Sequence, residues 1–508
     1  MSETTHDQGP DLRAGIALGD LRESEPLLGH VDGEPVLLVR QGRDIHAISA
    51  RCTHYGGPLH EGLVADGGIR CPWHHACFDL ASGAVRSGPA PEALRCWAVH
   101  SENGRVRVQG EHTPAAMQPR QTPRSVLIVG AGAAGDATAH ELRACGYRGP
   151  ITLLAGEADT PVDRPNLSKD YLAGKAPPEW LPLRSAEYWQ ERRIERVQAR
   201  AGRLDLAARC VLCDGARSYT YDALLLATGA QPVRLPIAGA ELPHVHTLRT
   251  RADAEAIRAA IAAGARRAVI AGASFIGLEA AAALRAQGLE VAVVAPETQP
   301  LARVFGQRLA DAVRAVHARM GTRFHLGRKP AAIDPEAVQL DDGTRLDADL
   351  VVMGVGVRPD VALAQRAGLA VDNGIVVGAD YRSGMPEIWA AGDVASVPDP
   401  VTGTRRRIEH WAWAQTQGRQ VARSMLGLPV PPAVPFFWSQ HGELTIGYVG
   451  HAAQWDALEE DGDPERGDYL CRYLQDGRVL AVASIGRDLD SLRAEVELLH
   501  AGAGAPAP

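Results

Sequence analysis

The chain of 508 residues contains no stretch approaching the roughly 20 uninterrupted apolar residues that a membrane helix needs. Cysteine is scarce: eight residues scattered over this length do not make a disulfide framework. Positive charge is not in excess. With 53 basic against 61 acidic residues the formal charge is -8, which excludes a general nucleic-acid binder and any polybasic membrane patch. The opening residues, Met1-Ser-Glu-Thr-Thr-His-Asp7, lack the basic and apolar pattern of a signal peptide, so a cytoplasmic protein is expected. What is present is ordinary globular material, 45% hydrophobic and 22% charged, enough for three or four packed domains.

Two stretches read as strand, glycine loop and helix. The first is Ser125-Val-Leu-Ile-Val-Gly130-Ala-Gly132-Ala-Ala134-Gly135, followed by a helix over 136–145 and a stop at Gly146. The second is Arg267-Ala-Val-Ile-Ala-Gly272-Ala-Ser274-Phe-Ile-Gly277-Leu-Glu279. In such a loop the first glycine permits the tight turn, the second lets backbone approach a pyrophosphate, and the third lets helix and strand pack. Ser274 replaces the middle glycine of the second loop. One such loop alone is a weak pattern, and the pair is much stronger.

The first hundred residues read as a small all-β domain of short alternating segments, with Asn103-Gly104 a hairpin turn. Within it lie Cys52-Thr-His54 and, after sixteen residues, Cys71-Pro-Trp-His74. Two thiolates and two imidazoles on paired loops suit zinc, or a [2Fe–2S] cluster with cysteines on one iron and histidines on the other. The surroundings, His54-Tyr-Gly-Gly-Pro58 and Cys71-Pro-Trp-His-His-Ala-Cys-Phe-Asp79, resemble Rieske domains.

That resemblance makes Cys52, His54, Cys71 and His74 the cluster ligands. Respiratory Rieske proteins carry a disulfide cysteine where Gly57 and Trp73 stand, and cluster-directed hydroxyls where Ala76 and Phe78 stand. Without those donors the reduced cluster is less stabilised, so a potential near the lower end of the range, roughly -150 mV, is expected. His75 is read as a solvent-facing loop residue, and Cys77 and Cys96 as structural. Residues 111–123, with three prolines, read as a linker.

Beyond the first glycine loop, Ile151-Thr-Leu-Leu154 reads as a strand, and Glu157 is placed to accept from a ribose hydroxyl. Pro161-Val-Asp-Arg-Pro-Asn-Leu-Ser-Lys169 then resembles a segment of the ferredoxin reductases of oxygenase systems and of apoptosis-inducing factors. The resemblance implies FAD in the first loop, with Arg164 and Lys169 beside the isoalloxazine, where cations stabilise a reduced ring. It also implies that Ala227-Thr228-Gly229 closes the first part of the flavin domain, that Gly354 lies in the return segment ending at Asp360, and that Gly392-Asp393 reaches the ribityl chain. Glu279 is placed near the nicotinamide, paired with or close to Lys169. His410 and Trp438 belong to stretches that close over the flavin. The disulfide reductases of the wider superfamily place a cysteine pair against the flavin. No cysteine lies between Gly146 and Arg209 here, so dithiol chemistry is not expected. Glu297, just past the strand at 291–294 with no arginine beside it, favours NADH over NADPH.

The expected fold is multidomain: an N-terminal all-β Rieske domain, two α/β dinucleotide-binding domains for FAD and NAD, and a small α+β C-terminal domain. The expected boundaries are 1–110 for the Rieske domain, 124–248 and 366–432 for the flavin domain, 249–365 for the nicotinamide domain and 433–508 for the last. Such last domains often carry dimer contacts, which leaves a homodimer open. A helix over 491–499 and a frayed Gly/Ala/Pro tail are expected near the end. The whole resembles Rieske-bearing, apoptosis-inducing-factor-like ferredoxin reductases. The implied activity is electron transfer from NADH through FAD and the [2Fe–2S] cluster to an external redox protein or oxygenase. The alternative is an NADH-responsive redox sensor. A terminal Rieske oxygenase would need a mononuclear iron site, and no H-x-x-x-x-H pair occurs.

Overall fold

Alternation of apolar and polar residues builds the N-terminal domain. Along Arg105–His112 only Val106 and Val108 are buried, and the strand pairs with Cys96–Glu102 across Asn103 and Gly104, both at positive φ as a tight hairpin requires. A computed structural model of the chain describes residues 9–115, 117–158, 160–399 and 402–503. In it six strands form one sheet, in the order Ile16–Ala17, Arg105–His112, Cys96–Glu102, Asp44–Ser49, Glu34–Gln41 and Leu27–Val31. Four short strands, Leu63–Ala65, Gly68–Arg70, Cys77–Asp79 and Val85–Ser87, form a second sheet. The segment carrying Cys71 and His74 joins the middle two of these.

The flavin-side sheet is parallel, in the order Ile194–Gln198, Ile151–Ala155, Val126–Val129, Ala223–Leu226 and Ile388–Ala390. Its three central strands are apolar runs because helices or other layers cover both faces. The fifth strand enters from beyond the nicotinamide sheet, so this domain is discontinuous in sequence. The nicotinamide sheet is also parallel: Val245–Thr247, Leu350–Met353, Arg267–Ala271, Glu290–Ala295 and Arg323–Leu326. The two crossings between these units pair as Ala230–Pro232 with Val357–Pro359, and the Thr228 hydroxyl donates to the Asp360 carbonyl at 2.7 Å.

The C-terminal unit is an antiparallel five-stranded sheet, with Asp476-Gly477 turning its last hairpin, backed by the helix Asp488–Ala503. That helix is longer at both ends than the apolar pattern suggested. The tail from residue 504 lies outside the described residues. No helix among the described residues is long and apolar enough to cross a membrane.

Three local readings change. Glu111 and His112 belong to the preceding strand, and the linker is tied down where the Arg120 and Gln121 amides donate to the Leu426 carbonyl. Asn373-Gly374, a hairpin signal in the sequence, closes only a single antiparallel bridge, Val371 to Ile375, while the strand Ile375–Val376 pairs in parallel with Ala395–Pro398. His75 does not face solvent: it is 4% exposed, wedged between the N-terminal and C-terminal units.

Candidate functional site

The first glycine loop is sterically obligatory at both ends and open in the middle. A Cβ on Gly130, at φ +110, would sit 2.1 Å from the Ala227 carbonyl oxygen, and one on Gly135 would sit 1.9 Å from the Gly130 oxygen. A Cβ on Gly132 would meet nothing within 4 Å, because Gly132 faces a cavity of about 1140 Å³. This exceeds the roughly 300–1,000 Å³ of ordinary small-ligand sites. A dinucleotide therefore fits, and Gly132 with the N-terminus of Ala133–Ala144 could receive its phosphates.

Residues far apart in sequence line this one cavity. Gly130, Gly132, Ala134, Glu157, Arg164 and Lys169 come from its first wall, and Thr228, Gly229, Gly392, Asp393, His410 and Trp438 from the others. Ser274, Glu279 and Gly354 bring the second glycine loop to the same space. Gly135, Gly272 and Gly277 act by packing rather than by lining it. Ser274 is an N-cap: its hydroxyl accepts from the Gly277 amide at 3.2 Å and donates to the Gly354 carbonyl at 2.7 Å. The side chain that replaces a glycine is thus folded back onto the loop. Glu297 is exposed past the strand end and lies outside the cavity lining.

The two cations expected beside the isoalloxazine have different partners. Arg164 pairs with Glu157 and donates to the Arg249 carbonyl at 3.2 Å. Lys169 lies 2.8 Å from Glu279 Oε2. That carboxylate is 4% exposed and also accepts from Ser168 Oγ at 2.7 Å and Ser439 Oγ at 2.9 Å. Arg249, missed in the sequence, holds Asp393 at 3.0 Å, and nothing in its local pattern marks it. His410 stacks on Phe437 at 4.1 Å, and burial lowers its pKa to about 3, so the ring is neutral.

The four metal-ligand candidates form two pairs. The buried Cys52 and Cys71 thiols are close enough to shift each other's titration, and His54 Nδ1 lies 3.2 Å from His74 Nδ1. Burial lowers the pKa of both imidazoles, His54 to about 4, which keeps them in the neutral, ligating form. Among the described residues no three acidic, cysteine or histidine side chains converge as a single ion would require. Separate thiol and imidazole pairs fit two irons, sulfur-ligated on one side and nitrogen-ligated on the other. A Cβ on Gly57 would lie 2.7 Å from Cys71 Sγ and 3.3 Å from the Trp73 ring, so the tryptophan fills the place of a disulfide. Ala76 and Phe78 are fully buried and offer no hydroxyl. Ala76→Ser or Phe78→Tyr is expected to raise the midpoint potential within the roughly -150 to +300 mV Rieske range. An EPR-monitored potentiometric titration measures this.

The two centres meet at Trp438. It lines the cavity, and its ring lies 4.5 Å from the His74 ring and 6.0 Å from that of His54, centroid to centroid. The adjacent Tyr55 stacks on His54 at 3.8 Å and donates to Asp163, in the segment that carries Arg164. Farther out, the Gly88 amide donates to Thr416 Oγ1 at 3.0 Å. Arg419 donates to the Ala90 carbonyl at 2.6 Å, and Arg184 to the Pro91 carbonyl at 3.2 Å. Arg184 is itself buried against Asp136 at 3.0 Å.

Comparison with known proteins agrees with this geometry. Residues 16–98 match the Rieske [2Fe-2S] domain, 124–418 the pyridine nucleotide-disulphide oxidoreductase family and 436–507 the reductase C-terminal family. Apoptosis-inducing factor 3 of Mus musculus is 31% identical over 92% of this chain and 80% of its own length. The ferredoxin–NAD(+) reductase component of the biphenyl dioxygenase system of Paraburkholderia xenovorans is 37% identical over 71% of this chain and 90% of its own. Among solved structures, the covalent putidaredoxin reductase–putidaredoxin complex superposes with a TM-score of 0.72 at 33% identity, covering 75% of this chain and 94% of that one. The chain belongs to the pyridine nucleotide-disulphide oxidoreductase family, as an NAD(P)H-dependent reductase of the ferredoxin-reductase type with a fused Rieske [2Fe–2S] domain.

Proposed function

We propose that the protein takes reducing equivalents from NADH and delivers them singly, by way of its own Rieske centre, to an external redox protein. Bound FAD supplies the conversion of two-electron to one-electron chemistry, and the cluster supplies a one-electron carrier. The observation that carries the proposal is Trp438, which spans from the cavity to both histidine ligands.

The chain's own residues do the positioning. Glu157, Asp393 and the Gly130 loop hold the adenine dinucleotide. Lys169 would place a positive charge beside the isoalloxazine, and Glu279 would orient the carboxamide of the hydride donor while fixing Lys169. Tyr55 and Asp163 keep the His54 edge against the cavity wall. Tethering holds the acceptor domain at an effective concentration in the mM range, which removes a diffusional step. One solved relative is joined to putidaredoxin and another relative is named for a dioxygenase system. An iron–sulfur protein or oxygenase component is the acceptor class this supports.

An anaerobic titration with NADH, followed by flavin absorbance and cluster EPR together, tests the proposal. Both centres should be reduced. Flavin bleaching with a persistently oxidised cluster would refute the internal route. A long-lived reduced complex with little turnover and a change in dimerisation would favour the sensor reading. Glu297→Ala should shift the NADPH-to-NADH preference toward NADPH by about tenfold, equivalent to ~1.4 kcal/mol. The ratio of the two kcat/KM values reports it.

A further inference from the structure

A second cluster of charged side chains lies outside the cavity, where the Rieske domain touches the C-terminal domain. Arg70 immediately precedes the ligand Cys71, and His75 immediately follows the ligand His74. Both reach Glu495 on the helix Asp488–Ala503: Arg70 Nε lies 3.4 Å from Oε1, and His75 Nδ1 lies 2.6 Å from Oε2. The other ring nitrogen of His75 is 3.2 Å from Ser491 Oγ. The His75 ring stacks on Phe436 at 3.9 Å, on the strand that carries Trp438. All four polar side chains are buried. His75 attains this place through a left-handed backbone, φ +59.

We propose that Glu495 is a positioning residue for electron transfer. With Arg70 and His75 it clasps the two ends of the Cys71–His74 loop and seats the histidine edge of the cluster on Trp438. The Rieske domain is then a resident acceptor rather than a swinging one. This rests on the electron route proposed above.

The argument is one of specificity. Buried charges contribute little net affinity compared with their hydrated state, but they are satisfied in one seating only. A shifted seating would leave Glu495 buried without its partners. Apolar stacking and the tether supply attraction in many poses, and the clasp selects among them. A pair between His500 and Asp66 joins the same two domains at 3.1 Å but is solvent-exposed, so it imposes no such selection.

The test uses full-length protein loaded with FAD and cluster, comparing wild type with Glu495→Gln, Glu495→Asp, Ser491→Ala and His500→Ala. In stopped flow with NADH, E495Q should bleach its flavin at the wild-type rate. Its cluster should be reduced roughly a hundredfold more slowly, the scale on which a small misplacement acts. E495D should recover part of the loss, S491A should show a smaller version of it, and H500A should match wild type. The dithionite-reduced EPR signal should be unchanged throughout. In protein without cofactors, backbone amides of residues 70–77 and 488–496 should exchange faster in E495Q.

Wild-type cluster reduction in E495Q would overturn the clasp, as would loss of its dithionite-reduced signal, which would make Glu495 a residue of cluster assembly. If E495Q fails to fold, S491A decides, and an unaltered cluster phase in it overturns the clasp. A wild-type cluster that NADH does not reduce would instead refute the route. The exchange rates then judge the clasp alone, and equal rates overturn it.

Discussion

Cys71→Ser should abolish the reduced-cluster EPR signal and leave bleaching of the flavin by NADH within about twofold of wild type, as expected for well-separated sites. Cys71 is 1% exposed and lies between the Cys52 thiol and the peptide turn that carries His74. A serine oxygen there is a hard, weakly acidic donor and does not replace a thiolate toward iron. The same substitution leaves the cavity wall untouched, because Cys71 does not line the space and the ligand loops approach it through Trp438. Small one-electron dyes should therefore still be reduced, while turnover with a protein acceptor stops. Iron content, visible absorbance and EPR measured on one sample make the distinction. A persistent Rieske signal in the variant would show that Cys71 is not a ligand.

The parts of the molecule legible in the sequence are those whose backbone or ligand chemistry is local. Gly130 and Gly135 had to be glycines because carbonyl oxygens stand about where their side chains would go. The C-x-H and C-x-x-H pairs sit on short loops, so their convergence could be read from spacing. Asn103-Gly104 announced its turn for the same reason. His75 could not be read this way. Its place on a short ligand-bearing loop suggested solvent, and the partner that buries it, Glu495, lies 420 residues away. Arg164 shows a subtler limit. The motif sets its backbone at the cavity wall, and its side chain turns to Glu157, seven residues earlier. Arg249 and Arg184 carry no local signal at all. They matter because separate segments, 144 and 48 residues distant, bring Asp393 and Asp136 within reach.

Lys169→Ala should slow flavin reduction by NADH about a hundredfold, ~2.7 kcal/mol in activation free energy, while the dithionite-reduced cluster signal remains intact. The expectation follows from the company Glu279 keeps. Its carboxylate accepts from Lys169, Ser168 and Ser439, and the Gln440 amide approaches it at 3.4 Å. Among the described residues only Lys169 pairs with its charge. Removing the lysine leaves a buried anion with neutral donors, a loss of about 3–5 kcal/mol when a buried pair is broken on one side. That anion would then oppose the negative charge that hydride acceptance builds up on the flavin ring, which Lys169 would otherwise offset. Glu279→Gln should be milder, because the amide retains an acceptor for one serine and leaves Lys169 in the 15%-exposed position it already holds. The two changes should not add. If the pair acts as one unit, the double variant will be little worse than K169A, with a coupling on the order of 0.5–3 kcal/mol. Strict additivity in single-turnover bleaching rates would mean that Lys169 and Glu279 contact the two cofactors independently and that their ion pair is incidental to hydride transfer.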